Sequence, residues 1–218
     1  GQQPKVIENA DASLLASGGE NFQSIFTDAA SYIVHPPIGK WIIASGESIF
    51  GATPFGWRIS IAILGILSVL LTARIARRLT NSNFIGTVAG LLLALDGLHI
   101  AMSRTALLDT SLSFFVLAAF GFLIIDRDIA NSGGPKIWRW AMVIALGLAC
   151  GTKWSGVYFA AAFGLLMLVW DYERRSKNLE RITSWLIKDF LPALLMPILA
   201  LGVYIASWYG WLTTSGGW

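Results

Sequence analysis

The sequence predicts an all-α fold, a polytopic membrane helical bundle, and three observations predict it. Of the 218 residues, 55% are hydrophobic and only 13% charged, against about 25% charged in an average soluble domain. The apolar residues gather into six long stretches. The basic residues between those stretches fall unevenly on alternate sides. Ten Trp, 12 Phe and 5 Tyr add the rings that anchor proteins at membrane–water interfaces.

Residues 1–56 open the chain with polar, turn-forming residues (Asn9, Asp11, Ser17, Gly18, Gly19, Asn21) and read as an extracytoplasmic loop. Its acids Asp11, Glu20 and Asp28 stand in no recognisable motif. Near its end Pro36-Pro37 holds the backbone extended, and residues 41–50, with Glu47 polar, suit an interfacial helix. Apolar stretches follow at about 57–79, 84–103, 106–125, 138–152, 154–170 and 189–209. A crossing takes about 20 residues, and a single helix of about 33 is too long for one. The fourth and fifth stretches are therefore separate, joined by a tight turn at Lys153. This makes 57–209 a transmembrane helical domain of about six spans, with 210–218 the start of another extracytoplasmic loop. The chain starts with Gly1 and has loop-like sequence at both ends, so it reads as an internal segment of a longer protein.

Alternating the loops sorts the 16 basic residues. Eleven fall on one side: Arg74, Arg77, Arg78, Arg127, Lys136, Arg139, Arg174, Arg175, Lys177, Arg181 and Lys188. Five fall on the other: Lys5, Lys40, Arg58, Arg104 and Lys153. The positive-inside rule makes the first side cytoplasmic and places a plasma-membrane protein's first loop, Arg104 and Lys153 outside. Arg174 to Lys188, with Leu179, Ile182 and Leu186 on one face, suits an interfacial cytoplasmic helix. Gly86-xxx-Gly90 and Gly147-xxx-Gly151 carry the small-residue spacing that lets membrane helices approach closely.

Charges within or beside membrane segments cost a few kcal/mol each and need a reason. Asp96, His99, Ser103, Arg104 and Asp109 fall within one short block at the expected outer interface, with His99 and Ser103 on the helical face of Asp96. His35-Pro36-Pro37-Ile38-Gly39-Lys40-Trp41 presents His35 and Lys40 on the same side. Gly151-Thr152-Lys153-Trp154-Ser155-Gly156 adds a lysine flanked by glycines, which permit close backbone approach to a ligand. Each could instead be an end anchor, with Arg104 paired to Asp96 or Asp109. As a set, the cations suit a phosphate headgroup and the carboxylates suit sugar hydroxyls or proton transfer. Cys150 is the only cysteine, and no Walker loop, zinc spacing or HExxH pattern occurs. The sequence calls for no cofactor, indicates no divalent cation and offers nothing for nucleic acid.

These motifs, with Phe55-Gly56-Trp57-Arg58, Leu95-Asp96-Gly97 and Arg104-x-x-Leu107-Leu108-Asp109 between them, resemble in order and spacing the protein O-mannosyltransferases. Within that family the actinobacterial polyprenyl-phosphate-mannose enzymes look nearest. The resemblance runs from about residue 30 to the end. It implies a type C glycosyltransferase membrane domain that moves mannose, with inversion, from a polyprenyl or dolichyl monophosphate carrier to Ser or Thr hydroxyls of proteins outside the cytoplasm. It implies that Arg104 contacts the phosphate, that His35 and Lys40 belong to the first-loop motif, and that Asp96, Asp109 and Lys153 occupy family motif positions. The partners implied are the lipid-linked donor, an acceptor protein or peptide, the bilayer, a second copy in a dimer and the translocation machinery. The family's catalytic Asp-Glu pair is expected upstream of Gly1, so no catalytic residue is assigned here and the segment alone is expected to be inactive. Two other readings stay open. One is a transporter or flippase for an anionic lipid, which would favour charges near the membrane midplane. The other is a type C transferase with a different sugar or acceptor.

Overall fold

A computed structural model describes residues 34–177 and 182–213 of the chain. The described residues form α1 (Ile38–Phe50), α2 (Gly56–Thr80), α3 (Asn83–Leu95), α4 (Gly97–Arg104), α5 (Leu108–Asn131), α6 (Trp138–Thr152), α7 (Gly156–Lys177), α8 (Ile182–Ser207) and α9 (Tyr209–Leu212). No strand occurs among them. The loop acids Asp11, Glu20 and Asp28, the tail 214–218 and the centre of the Arg174–Lys188 segment lie outside the described residues.

Among the described residues, three helices are long and apolar enough to cross a membrane: α2, α5 and α8. A fourth crossing is formed if α3 and α4 count as one, although they meet at an angle of 59°. The sequence reads 84–103 as one stretch, but the chain breaks at Asp96, whose ψ of 118° is extended. The Asp96 carboxylate then accepts a hydrogen bond from the His99 backbone N–H at 2.7 Å and starts α4 as its N-cap. A cap of this kind ends one helix and begins the next. Asp96 therefore does not share a helical face with His99 and Ser103. The turn Lys153-Trp154-Ser155 separates α6 (15 residues) from α7 (22 residues). In α8 the backbone widens into a π turn at Leu186–Phe190, just ahead of Pro192, a residue that cannot supply a helical N–H.

The helices pack as a row, α3 on α2, α2 on α5, α5 on α6 and α6 on α8, with α7 across α5 and α6. The core holds Ala119 and Leu123 of α5, Met142, Val143 and Leu146 of α6, Met167 of α7 and Met196 of α8. Both small-residue pairs sit at close contacts. A Cβ on Gly86 would lie 2.7 Å from the Arg77 Cβ, and one on Gly90 would lie 2.9 Å from the Ala73 Cβ. A Cβ on Gly147 would lie 2.8 Å from the Val203 Cβ. In a bilayer such contacts provide dispersion attraction where the hydrophobic effect is absent.

An ion network ties α5, α6, α7 and α8 together at the end of the bundle opposite Arg104. Arg139 of α6 donates to Asp126 of α5 through Nη2 at 2.7 Å and Nε at 3.1 Å, and its backbone N–H reaches the other oxygen at 3.1 Å. Its Nη1 also reaches Asp171 of α7 at 3.1 Å. Asp171 further accepts from Lys136 at 3.0 Å and from Arg174 at 2.7 Å. Asp189 of α8, fully buried, takes Lys136 on one oxygen and Arg175 on the other. Charges this deep persist when they are paired and their remaining valences are filled.

Candidate functional site at the Arg104 end

The end of the bundle that carries Arg104 is assembled from the N-terminus of α5, the C-terminus of α6, the α3–α4 break and α1 lying across them. The Ile38–Gly39 turn of α1 docks into this end. A Cβ on Gly39 would sit 2.5 Å from Leu108 Cδ2 and 3.2 Å from Thr152 Cγ2, and Ile38 Cγ1 fills the space beside Gly151. Pro36 is fully buried and Pro37 caps α1. The prolines thus seat the first-loop motif directly on the tips of α5 and α6. Gly151 and Gly156 serve packing, Gly151 against Ile38 and Ser207 and Gly156 against the backbone of Ala149 and Cys150. The close backbone approach these glycines allow is made to the protein itself.

The structure places the six expected residues as follows. Lys153 Nζ donates to Asp109 Oδ1 at 2.7 Å, joining the end of α6 to the first turn of α5. Half-exposed pairs of this kind contribute about 0–1 kcal/mol, so the bond positions the two groups more than it stabilises the fold. His35 is half-buried just before the prolines, and Lys40 projects exposed from α1. Arg104 is the last residue of α4 and is exposed. Among the described residues Arg104 and Lys40 form no ion pair, so the alternative of Arg104 anchored to Asp96 or Asp109 is not what is found. Asp96 caps α4, and Asp109 is taken by Lys153. Arg58 is also at this end and stacks on Trp57 at 4.6 Å.

Arg104 owes its position to three contacts. His99 Nε2 lies 3.1 Å from the Gly65 carbonyl oxygen. The Ser103 side chain covers the Cα of Gly65, where a Cβ would come within 2.4 Å of its Oγ. Ala106, buried at a φ of +54°, redirects the chain from α4 into α5, a backbone state that L-residues rarely adopt. The hydroxyls of Ser103, Thr110 and Ser111 are buried here with no hydrogen-bond partner among the described residues. The sequence reading did not single out Thr110 and Ser111, although two hydroxyl residues directly after Asp109 in an apolar run were a visible signal.

The two roles open to Asp96 predict different mutants. Asn is as good an N-cap as Asp, whereas Ala costs about 1 kcal/mol. If the carboxylate acts mainly as the cap, Asp96→Asn in the full-length protein keeps near-wild-type thermal stability and activity while Asp96→Ala loses both. Loss of activity in Asp96→Asn at unchanged melting temperature would mean that the charge itself is required.

Chemically, this end offers Arg104 and Lys40 without ion pairs among the described residues, Arg58 stacked on Trp57, a lysine–carboxylate pair and His35 on the tips of packed helices. Such a set can hold a phosphate oxyanion and leave its lipid tail in the bilayer. Residues 21–209 match the family model described as Dolichyl-phosphate-mannose-protein mannosyltransferase. The chain is 42% identical over 206 residues to a polyprenol-phosphate-mannose–protein mannosyltransferase of Mycobacterium tuberculosis, covering 84% of this chain and 39% of that protein. It is 38% identical over 205 residues to the protein of the same name in Corynebacterium glutamicum, again covering 84% of this chain and 39% of that protein. An undecaprenyl phosphate-alpha-4-amino-4-deoxy-L-arabinose arabinosyl transferase of Pseudomonas aeruginosa is 38% identical over 120 residues, 55% of this chain and 21% of that protein. The chain thus spans about two fifths of the length of the mannosyltransferase relatives. No solved structure matches it.

Proposed function

The chain belongs to the dolichyl-phosphate-mannose–protein mannosyltransferase family, and from that premise we propose that the whole protein transfers mannose from polyprenyl-phosphate mannose to Ser or Thr hydroxyls of proteins. In this reading the Arg104 end faces outside the cytoplasm of the plasma membrane, and about six spans carry residues 57–209. The observation that supports it is the placement of Arg104 and Lys40, exposed and without ion-pair partners, at the same helix tips as the Asp109–Lys153 pair.

The reaction forms a bond from the acceptor oxygen to the sugar's anomeric carbon as the bond from that carbon to the phosphate oxygen breaks. The lipid phosphate leaves with one more negative charge than it held as a diester. Arg104 and Lys40 meet that developing charge, and preorganised donors at such a point are among the largest catalytic effects. Lys153, held by Asp109, adds a third cation at this end of the bundle. His35 sits at the rim with the first-loop motif, and Asp96 sets the direction of α4. The resemblance assigns the base that takes the acceptor proton to carboxylates outside residues 34–213.

The test is an assay of the full-length protein in isolated membranes with labelled polyprenyl-phosphate mannose and a Ser/Thr peptide. Label is expected on the peptide. The arabinosyl transferase similarity favours a second reading, a type C transferase for another sugar. A parallel assay with a polyprenyl-phosphate aminoarabinose donor decides it, since transfer from that donor alone would overturn the mannose assignment. Movement of the lipid across the bilayer without transfer would favour the flippase.

A further inference from the structure

Away from Arg104, a cavity of about 630 Å³ opens between α2 and α5. Its lining is graded along both helices. On α2, Leu71 and Ile75 line the deeper part, and Arg74, Arg77, Arg78 and Asn81 follow toward the helix end. α5, which runs parallel to α2, repeats the order, with Ala118, Phe122 and Ile125 deep and Asp128 at the mouth. From Leu71 to Asn81 the helix rises about 15 Å at 1.5 Å per residue. The space is therefore an elongated slot with an apolar floor and a cationic rim.

The charges at the rim do not cancel. Asp128 is satisfied by Arg78 at 2.7 Å and by Arg127 at 2.8 Å. Arg74 and Arg77 have no ion pair among the described residues. The stem of Arg77 is fixed by α3, because its Cβ lies against Gly86. Gly121 leaves the floor open, since even a Cβ there would meet only Ile75 at an ordinary 3.5 Å.

We propose that this slot binds an anionic diacyl phospholipid of the leaflet at that end, its phosphodiester on Arg74 and Arg77 and the start of an acyl chain along Ile75, Gly121 and Phe122. The shape selects the ligand. A soluble anion would use the rim and leave an apolar floor exposed, whereas a phospholipid fills both parts. The volume is in the range of small-molecule sites, about 300–1,000 Å³. The site is separate from the transferase chemistry, because it lies at the opposite end of α2 and α5 from Arg104.

The test uses purified, delipidated full-length protein, titrated with phosphatidylglycerol or phosphatidylcholine of matched chains and read by native mass spectrometry. Wild type is expected to prefer phosphatidylglycerol. At the usual strength of basic contacts to anionic lipid, Arg74→Gln/Arg77→Gln together weaken that binding roughly thirtyfold and leave phosphatidylcholine unaffected. Gly121→Leu, which fills the floor without touching a charge, also weakens phosphatidylglycerol binding in protein that elutes and melts like wild type. Lys177→Gln, at the same end but outside the slot, changes it by less than about twofold. Equal phosphatidylglycerol binding by wild type and the arginine double variant overturns the proposal, as does an equal loss in Lys177→Gln. Displacement of the lipid by millimolar inorganic phosphate, with Gly121→Leu silent, would identify a free-anion site instead. Absence of any lipid binding would mean that another part of the chain fills the slot.

Discussion

Arg104→Ala in the full-length protein is expected to lower mannose transfer about 10²–10³-fold, the usual cost of removing one preorganised donor from a developing oxyanion. The loss should fall on kcat more than on KM, because the phosphate gains its extra charge only as the glycosidic bond breaks. Arg104→Lys keeps the charge but loses the planar fork that grips two phosphate oxygens, and an intermediate rate is expected. Arg104 is exposed at the end of α4 and has no ion-pair partner among the described residues. Expression and melting temperature should therefore stay near wild type. Rates are read in isolated membranes with saturating donor, and a wild-type rate for the alanine variant would remove Arg104 from the phosphate site.

Arg139→Ala has its large effect on the fold. It strips Asp126 of every side-chain partner and leaves that carboxylate 2% exposed. Breaking a buried pair by removing one member costs about 3–5 kcal/mol. The expected result is a sharp fall in the fraction recovered as monodisperse protein and in its melting temperature. Asp126→Leu/Arg139→Met removes both charges and should recover most of the loss, because Asp171 keeps Lys136 and Arg174. If Arg139→Ala melts like wild type, the network does not hold the bundle together.

Long apolar runs made most of the architecture legible in the sequence. The stretch at 57–79 lies within Gly56–Thr80 and that at 106–125 lies within Leu108–Asn131 but for its first two residues, and both small-residue pairs mark close helix contacts. The helix ends were less legible. Asp126 and Asp128 continue α5 beyond its apolar run because Arg139 and Arg78, distant in sequence, satisfy them, and Arg127 between them pairs with Asp128 and stacks on Trp170. The break at Asp96 was hidden because an Asp-Gly step in an apolar run reads equally as a buried charge or as a cap, and only the His99 amide decides between them. At the candidate site, the residue types and their common end followed from motif order and charge counting. The Asp109–Lys153 pair did not, since it links positions 44 apart. The Arg139 network escaped for a related reason. Basic residues at that end already had an explanation in the positive-inside rule, and nothing local marks Asp126, Asp171 and Asp189 as their partners.

That network also orders events during synthesis. Asp126 leaves the ribosome ahead of Arg139, Asp171 follows with Arg174 and Arg175, and Asp189 comes last. Asp126 therefore precedes its partner, whereas Asp171 and Asp189 each emerge after basic residues that meet them. At about 5–20 residues per second, seconds pass between the first acid and the last. Asp126 can be neutralised early by Arg139, Lys136 gains Asp171 with α7, and Asp189 adds α8 to the network. The order of synthesis is thus the order in which α5 and α6, then α7, then α8 are tied together. A chain stalled before residue 189 would lack the carboxylate that joins α8 to Lys136 and Arg175.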